Sequence, residues 1–263
     1  MNIKPIGILD SGVGGLTVLK SVVEELTSES VIYIGDSQNT PYGAKNPEEI
    51  YHLAKRMIEV LLAKNVKLIV IACNTITVSC MDRLRTDYPH IPLIGIVPVI
   101  KTAAKISENK RIGILSTTVT AKSDYQKHLI EEFATGCTVF NHGNDKLVPL
   151  IEQGMITSRE MTEVLDSVLS PYLKEEIDTL VLGCTHFPFL KSQIHEFLGQ
   201  HVTLLDSSGA VARQVKRVLQ HNGILASAKP QKIVIFTTGN KQFLKQLWDS
   251  IGLTTQVTIE SLQ

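Results

Sequence analysis

The chain has 263 residues, of which 43% are hydrophobic and 20% charged, a composition typical of an ordinary globular protein. Lys plus Arg number 26 and Asp plus Glu number 26, so the formal net charge is zero, which argues against binding to nucleic acid or to a membrane surface. No apolar run is long enough to cross a bilayer. A strand-like stretch begins close to Met1, from which we expect no signal peptide and a cytoplasmic location.

Short runs rich in Ile, Val and Leu alternate with helical patterns along the chain, which predicts an α/β fold with parallel sheets. Because these runs are continuously apolar, we expect the strands to be covered on both faces. The predicted strands span residues 6–9, 31–34, 67–72, 93–96, 111–115, 179–182, 202–205 and 233–236. The clearest predicted helix follows Asn46, with Pro47 at its first position and Glu49 at the capping-box position.

An internal repeat indicates how the chain is divided. Residues 6–11 resemble residues 112–117, and residues 68–75 resemble residues 178–186 when Cys73 and Cys184 are aligned. Two copies of one α/β unit explain both matches. The sequence therefore predicts two pseudo-symmetric α/β domains, each around a mainly parallel sheet, with the active site in the cleft between them.

Several polar residues stand where predicted strands end, which is where ligands bind in open α/β sheets. These residues are Asp10, Ser11, Cys73, Asn74, Cys184, Thr185 and His186. Cys73 and Cys184 each precede a predicted helix, whose positive end favours the thiolate. The four cysteines include no CxxC pair, which argues against a disulfide framework or a zinc ribbon. We expect Cys80 and Cys137 to be small buried hydrophobic residues.

Two thiols that face one ligand from opposite domains can invert a stereogenic carbon. One thiolate removes a proton and the opposing thiol returns a proton to the other face, which is racemisation or epimerisation. Asp10 could polarise or relay a proton to Cys73, and His186 could do the same for Cys184. A turn or N-cap role for Asp10 and a loop role for His186 are the alternatives.

The Gly-rich segment 10–17 also suggests a dinucleotide site, because Asp36 follows at about the distance of a ribose-binding acid. Against this alternative, Thr17 stands where the third glycine should be, and no lysine follows as a P-loop requires. A tight turn that lets a small anionic ligand approach backbone amides is the stronger interpretation. Residues 41–43 form a second turn over the same strand ends or an ordinary surface loop.

Four motifs together resemble those of the glutamate racemases, cofactor-independent members of the Asp/Glu racemase superfamily. They are residues 7–16, 36–43, 72–75 and 182–188. The resemblance covers nearly the whole chain and implies interconversion of L- and D-glutamate, supplying D-glutamate for peptidoglycan, with neither pyridoxal phosphate nor a metal ion. It also implies a homodimer, with a first domain of residues 1–98 and 207–263 and a second domain of residues 99–206.

The resemblance further implies a role for each site residue. Cys73 would take the α-proton from D-glutamate and Cys184 from L-glutamate, assisted by Asp10 and His186 respectively. The residues expected to bind substrate are Ser11, Pro41, Tyr42, Gly43, Asn74, Thr75, Thr117, Thr120, Glu152 and Thr185. Residues 116–120 depart from the Ala-Thr-x-x-Thr pattern common in the family, so the choice among Thr117, Thr118 and Thr120 stays open.

Three other functions are compatible with parts of the sequence. An aspartate or hydantoin racemase would use the same chemistry on another substrate. A noncatalytic two-lobed amino-acid-binding protein would bind glutamate without inverting it. A nucleotide-dependent oxidoreductase would need an added cofactor, and its turnover would change the nicotinamide absorbance.

Overall fold

The computed structural model describes residues 4–227, 231–253 and 255–262. In these residues strands alternate with helices. The strands are β1 (Ile6–Asp10), β2 (Val31–Gly35), β3 (Leu68–Ile71), β4 (Leu93–Gly95), β5 (Arg111–Ser116), β6 (Thr138–Gly143), β7 (Thr179–Gly183), β8 (Thr203–Leu205), β9 (Ile233–Thr237) and β10 (Val257–Ser261). The α-helices are α1 (Leu16–Glu25), α2 (Pro47–Ala63), α3 (Asn74–Asp87), α4 (Ile100–Ile106), α5 (Thr118–Lys122), α6 (Asp124–Phe133), α7 (Leu147–Glu152), α8 (Arg159–Lys174), α9 (Lys191–Leu198), α10 (Ser208–His221) and α11 (Lys241–Ser250). Short 3-10 turns span Ser37–Asn39, Tyr42–Ala44 and Phe187–Leu190.

The strands form two sheets in which neighbours run parallel. The first sheet has the order β10-β9-β2-β1-β3-β4 and the second has the order β6-β5-β7-β8. The series β2-β1-β3-β4 and β6-β5-β7-β8 are equivalent, so the repeat seen in the sequence corresponds to a repeated strand order. The predicted α/β class with two parallel-sheet domains is confirmed. The domain boundaries at residues 98/99 and 206/207 stay a prediction.

The last strands of the chain belong to the first sheet. β9 lies beside β2 with Ile233 opposite Val31, and β10 lies beyond β9 at the edge. α10 packs against α1 on one face of this sheet through residues such as Val215 and Leu219. Ser207, just before α10, donates a hydrogen bond from its hydroxyl to the carbonyl of Val97 at 2.6 Å. This bond ties together the two segments that pass between the sheets.

All eight predicted strands are present, with ends shifted by at most one residue, but β6 and β10 were not predicted. Both are edge strands whose side chains are mostly exposed or half-buried, so they lack the apolar run that marks a central strand. Burial on both faces is confirmed for β1, β3 and β7. It is wrong for β8, the edge strand beside β7, because Thr203 is exposed and Leu204 and Leu205 are only half-buried.

The helix predicted after Asn46 begins as its sequence indicates. The Asn46 side chain accepts a hydrogen bond from the backbone N–H of Glu49 at 3.0 Å, and the Glu49 carboxylate accepts one from the Asn46 N–H at 3.1 Å. Ile50, Met57 and other residues of its apolar stripe are buried against the first sheet. None of the helices in the described part of the chain combines the length and apolarity that a membrane crossing requires.

Candidate active site

The carboxyl ends of β1, β3, β5 and β7 face each other across the two sheets and enclose a narrow cavity. Its free volume is about 10 Å³, roughly the room that one water molecule needs, so the lining side chains lie close together. The residues that line it are Ser11, Pro41, Tyr42, Gly43, Cys73, Asn74, Thr75, Thr117, Val148, Cys184, Thr185 and His186. Most residues predicted from the sequence therefore meet in one place. Asp10, Thr120 and Glu152 are hydrogen-bonded to lining residues. Val148, from α7, was not predicted.

The two cysteines of the cavity occupy equivalent positions in the two sheets. Cys73 lies between β3 and α3, and Cys184 directly follows β7. Each of these strands neighbours the first strand of its own unit, β1 or β5. Because the two units face each other, the thiols reach the cavity from different sheets. Cys80 lies buried in α3, as expected, whereas Cys137 is only half-buried at the start of β6.

Cys73 lies in an apolar and negatively charged environment. Its side chain is 5% exposed and donates a hydrogen bond from Sγ to Oγ of Ser11 at 3.5 Å. Burial, reinforced by the negative charge of Asp10, raises the pKa of the Cys73 thiol to about 12. Hydrogen bonding with Ser11 and with the backbone of Ile76 acts in the opposite direction and lowers this pKa. With this pKa, the Cys73 thiol is protonated at neutral pH.

Cys184 belongs to a chain of polar groups that includes an ion pair. Its Sγ lies 3.8 Å from Nδ1 of His186, and Nε2 of His186 lies 2.6 Å from Oε1 of Glu152. Burial opposes protonation of the imidazole, but the interactions with Cys184 and Glu152 outweigh burial and raise the pKa of His186. Burial acts against ionisation of Glu152 as well, yet His186 and the backbone N–H of Val13 lower its pKa overall. The pair is an imidazolium and a carboxylate.

Asp10 connects the two units beneath the cavity. One of its carboxylate oxygens accepts a hydrogen bond from the Gly12 N–H at 3.0 Å, and the other accepts one from Oγ1 of Thr185 at 3.1 Å. Burial raises the pKa of Asp10, and the positive charge of His186 opposes this increase. Asp10 thus stabilises the turn that follows β1, as the alternative interpretation held, and it also acts on Cys73 through its charge.

The glycines after β1 make room for side chains of the second unit. A methyl group on Gly12 would overlap Oε1 of Glu152, and one on Gly14 would overlap Nδ1 of His186. The anion that reaches the backbone amides is the chain's own Glu152, which accepts from the Val13 N–H at 2.7 Å. The dinucleotide alternative is wrong, because this side chain occupies the place that a pyrophosphate would need.

Three threonines join the units at the opposite wall. Oγ1 of Thr75 and Oγ1 of Thr117 are 3.0 Å apart, and Thr117 donates to Oγ1 of Thr120 at 3.0 Å. Thr117 lines the cavity, whereas Thr120 lies behind it and Thr118 donates its N–H to Asp145. Asp145 was not predicted, because no strand-end pattern marks it.

Asn74 presents a free acceptor to the cavity. Its Oδ1 is buried and has no hydrogen-bond partner among the residues that the structure describes. A buried acceptor without a partner is costly, so this oxygen is suited to a ligand that donates a hydrogen bond. Over the same described ranges, no cluster of three or more His, Cys, Asp or Glu side chains is arranged to hold a metal ion.

Comparison with known proteins agrees with this geometry. The model of the Asp/Glu/Hydantoin racemase family matches residues 6–215. The chain belongs to the glutamate racemases of this family. The glutamate racemase of Ectopseudomonas mendocina is 39% identical over 90% of each chain. The solved structure of glutamate racemase isoform RacE1 from Bacillus anthracis aligns with a TM-score of 0.86 at 34% identity, covering 100% of this chain and 98% of that chain.

A second solved glutamate racemase, from Escherichia coli, aligns with a TM-score of 0.86 at 30% identity and covers 98% of both chains. That protein was solved in complex with L-glutamate and the activator UDP-MurNAc-Ala. The family resemblance predicted from the four motifs is confirmed, and with it that the chain is an enzyme of the isomerase class. The oxidoreductase and the noncatalytic binding protein are thereby set aside.

Proposed function

We propose that the enzyme interconverts L- and D-glutamate by moving protons between the substrate's α-carbon and two thiols. The observation that carries this proposal is that Cys73 and Cys184, from equivalent strand ends of two sheets, line one narrow cavity. A ligand between them has a thiol on each side. Two acids and bases so arranged can invert a stereogenic carbon without rotating the substrate.

In the direction from D- to L-glutamate, the Cys73 thiolate removes the α-proton. The electron pair of the broken C–H bond is delocalised into the α-carboxylate, which gives an enediolate. The α-carbon then takes the proton of the Cys184 thiol on the opposite face. Cys73 ends as a thiol and Cys184 as a thiolate. The reverse direction starts from these protonation states, so each turnover leaves the enzyme ready for the other enantiomer.

The substrate itself supplies the positive charge that Cys73 requires. Because burial and Asp10 hold the pKa of Cys73 at about 12, its thiolate needs a positive charge nearby. The α-ammonium of glutamate is such a charge, and Oδ1 of Asn74 is an acceptor for it. We assign the hydroxyls of Thr75, Thr117 and Thr185 to the carboxylates, because each of them lines the cavity. Ser11 and the turn at residues 41–43 complete this binding set.

Cys184 has its positive charge built in. The His186 imidazolium lies beside the thiol and is held by Glu152, which fixes the ring's orientation from its other nitrogen. An imidazolium next to a thiol stabilises the thiolate that forms when Cys184 gives up its proton. Asp10 is proposed to assist Cys73 in a different way, because its negative charge makes the thiolate a stronger base once the ammonium group of the substrate has allowed it to form.

The remaining parts of the proposal rest on family membership. Proton transfer between the enzyme's own thiols needs neither pyridoxal phosphate nor a metal ion, and we propose a cofactor-independent reaction. We also propose that the D-glutamate is made in the cytoplasm for peptidoglycan and that the enzyme is a homodimer. Sedimentation equilibrium of the purified protein tests the dimer, and a mass equal to one chain would contradict it.

The decisive experiment follows the optical activity of D- and L-glutamate with purified enzyme, a chelator and no added cofactor. We expect both enantiomers to reach the racemate, and in D₂O the product to carry deuterium at the α-carbon. Aspartate and a 5-substituted hydantoin serve as comparison substrates. Faster turnover of either one than of glutamate, or binding of glutamate without loss of optical activity, would contradict the proposed function.

A further inference from the structure

Asp36 lies outside the cavity, but it organises a turn that forms part of the cavity wall. Its side chain is fully buried at the end of β2. The carboxylate accepts hydrogen bonds from Oη of Tyr42 at 2.7 Å, Nδ2 of Asn39 at 2.9 Å and Oγ1 of Thr238 at 3.0 Å. The half-exposed Arg56 lies 3.7 Å from the same group. A buried carboxylate with this many donors holds each of them firmly in place.

Thr238 reaches this cluster from a distant part of the sequence because β9 is parallel to β2. In the register of these strands, Thr237 stands opposite Gly35, and the N–H of Thr238 donates to the Gly35 carbonyl at 3.1 Å. Oγ1 of Thr238 also accepts a hydrogen bond from the N–H of Gln38 at 3.0 Å. One hydroxyl therefore joins the end of β9 both to Asp36 and to the 3-10 turn that follows it.

The turn at residues 41–43 transmits this placement to the site. Pro41, Tyr42 and Gly43 all line the cavity. Gly43 fits so closely against the second unit that a methyl group there would lie 2.9 Å from Cβ of Thr117 and 2.8 Å from Oδ1 of Asp145. A shift of a few tenths of an ångström in this turn would therefore change the shape of the cavity on both sides.

We propose that Thr238 is a positioning residue for substrate binding, which acts through Asp36 and Tyr42 on the turn at residues 41–43. This inference rests on the proposed function, since the turn belongs to the substrate-binding set. Tyr42 uses its hydroxyl to reach Asp36, so it contributes its ring and backbone to the cavity. The last part of the chain thus supports the binding site without touching substrate.

The test is the substitution Thr238→Val, which keeps the side-chain shape and removes the hydroxyl. If the turn at residues 41–43 is displaced, glutamate loses the same contacts in the ground state and in the transition state. KM should therefore rise about three- to tenfold while kcat stays within about twofold. Thr238→Ser should restore KM, because it restores the hydroxyl. Thr258→Val, on the exposed edge strand β10, is the matched control and should leave both constants unchanged.

A double-mutant cycle identifies the route. If Thr238 acts through Asp36 and Tyr42, the KM effect of Thr238→Val should be smaller in a Tyr42→Phe background than alone. Merely structural damage would lower the active fraction, and so kcat, with KM unchanged. That result, or unchanged kinetics in a well-folded Thr238→Val enzyme, would overturn the inference. Wild-type enzyme that fails to racemise glutamate would instead overturn the proposed function.

Discussion

The two halves of the active site share a fold but differ in electrostatics. Sγ of Cys73 lies 3.5 Å from the neutral hydroxyl of Ser11, and the negative charge of Asp10 raises the pKa of this thiol. Cys184 instead lies beside the His186 imidazolium, which is paired with Glu152. The repeated strand order places the two thiols at equivalent strand ends. The repeated fold thus sets the geometry of this site, while the residues that follow each strand set the charge around each thiol.

The largest effect should come from removing either thiol. Cys73→Ser and Cys184→Ser should each lower the racemisation rate about 10³-fold or more, because a serine hydroxyl is a far weaker acid and its alkoxide is inaccessible near neutral pH. Polarimetry with both enantiomers measures the loss. Cys137→Ser, at a half-buried cysteine outside the cavity, is the control. Near-normal racemisation by either variant would end the two-thiol mechanism.

The next largest effect should come from filling the space between the halves. In Gly12→Ala the new methyl group would displace Glu152 and shift His186, which should lower kcat/KM about 10²-fold. Gly209→Ala, on α10, should be harmless because its nearest neighbour is the flexible Arg213 side chain at 3.4 Å. Equal activity of the two variants would show that the halves do not need this close contact.

The assistants of the two thiols should differ in how their removal acts. Asp10→Asn and His186→Gln should each lower kcat/KM about tenfold, because each removes a charged group that acts on one of the two thiols. The loss in kcat/KM must be the same for both enantiomers, because they are equally stable. The difference should appear in kcat: His186→Gln should slow the L-glutamate direction more, and Asp10→Asn the D-glutamate direction. Identical kcat ratios in both variants would contradict the division of roles.

The last prediction concerns the stability of the fold and its pH dependence, and no change in the chemical step. Because the pKa of His186 is higher in the folded than in the unfolded state, its protonation stabilises the fold. This stabilisation is complete below about pH 6.5 and is lost as pH rises through the pKa of His186 in the folded state. Because the pKa of Glu152 is lower in the folded state, its ionisation also stabilises the fold. This stabilisation is complete above about pH 4.5 and is lost as pH falls through the pKa of Glu152 in the folded state. Urea unfolding should therefore show Glu152→Gln less stable by about 3 kcal/mol near pH 6, with a smaller difference near pH 3.5. A difference independent of pH would show that the ion pair does not contribute.

The central strands and most of the cavity could be predicted because both leave local signals. A buried parallel strand is a continuous apolar run, and the polar residues directly after it must lie at the sheet's carboxyl edge. Cys73 and Cys184 were found in this way. Edge strands such as β6 and β10 leave no such run, because half of each strand faces solvent.

Contacts between distant segments could not be read from local patterns. Asp145 precedes the short helix α7 and Val148 lies in its first turn, and neither has a spacing from other polar residues that marks a site. The sequence marks Asp36 as a candidate ribose-binding acid and as the start of the motif 36–43, but not as the partner of Thr238. That contact depends on β9 joining β2, which strand composition does not specify. The Gly-rich turn was ambiguous for the same reason, since the side chain that fills it, Glu152, comes from the other unit.

In the first sheet, the two strands beyond β2, which are β9 and β10, come after the second unit in the sequence. During translation, β1 to β4 leave the ribosome long before these strands exist. The second unit can be complete while the first still has an open edge. A chain whose synthesis stops before β9 would contain both cysteines but leave β2 without its neighbour and Asp36 without Thr238, and we expect it to be inactive.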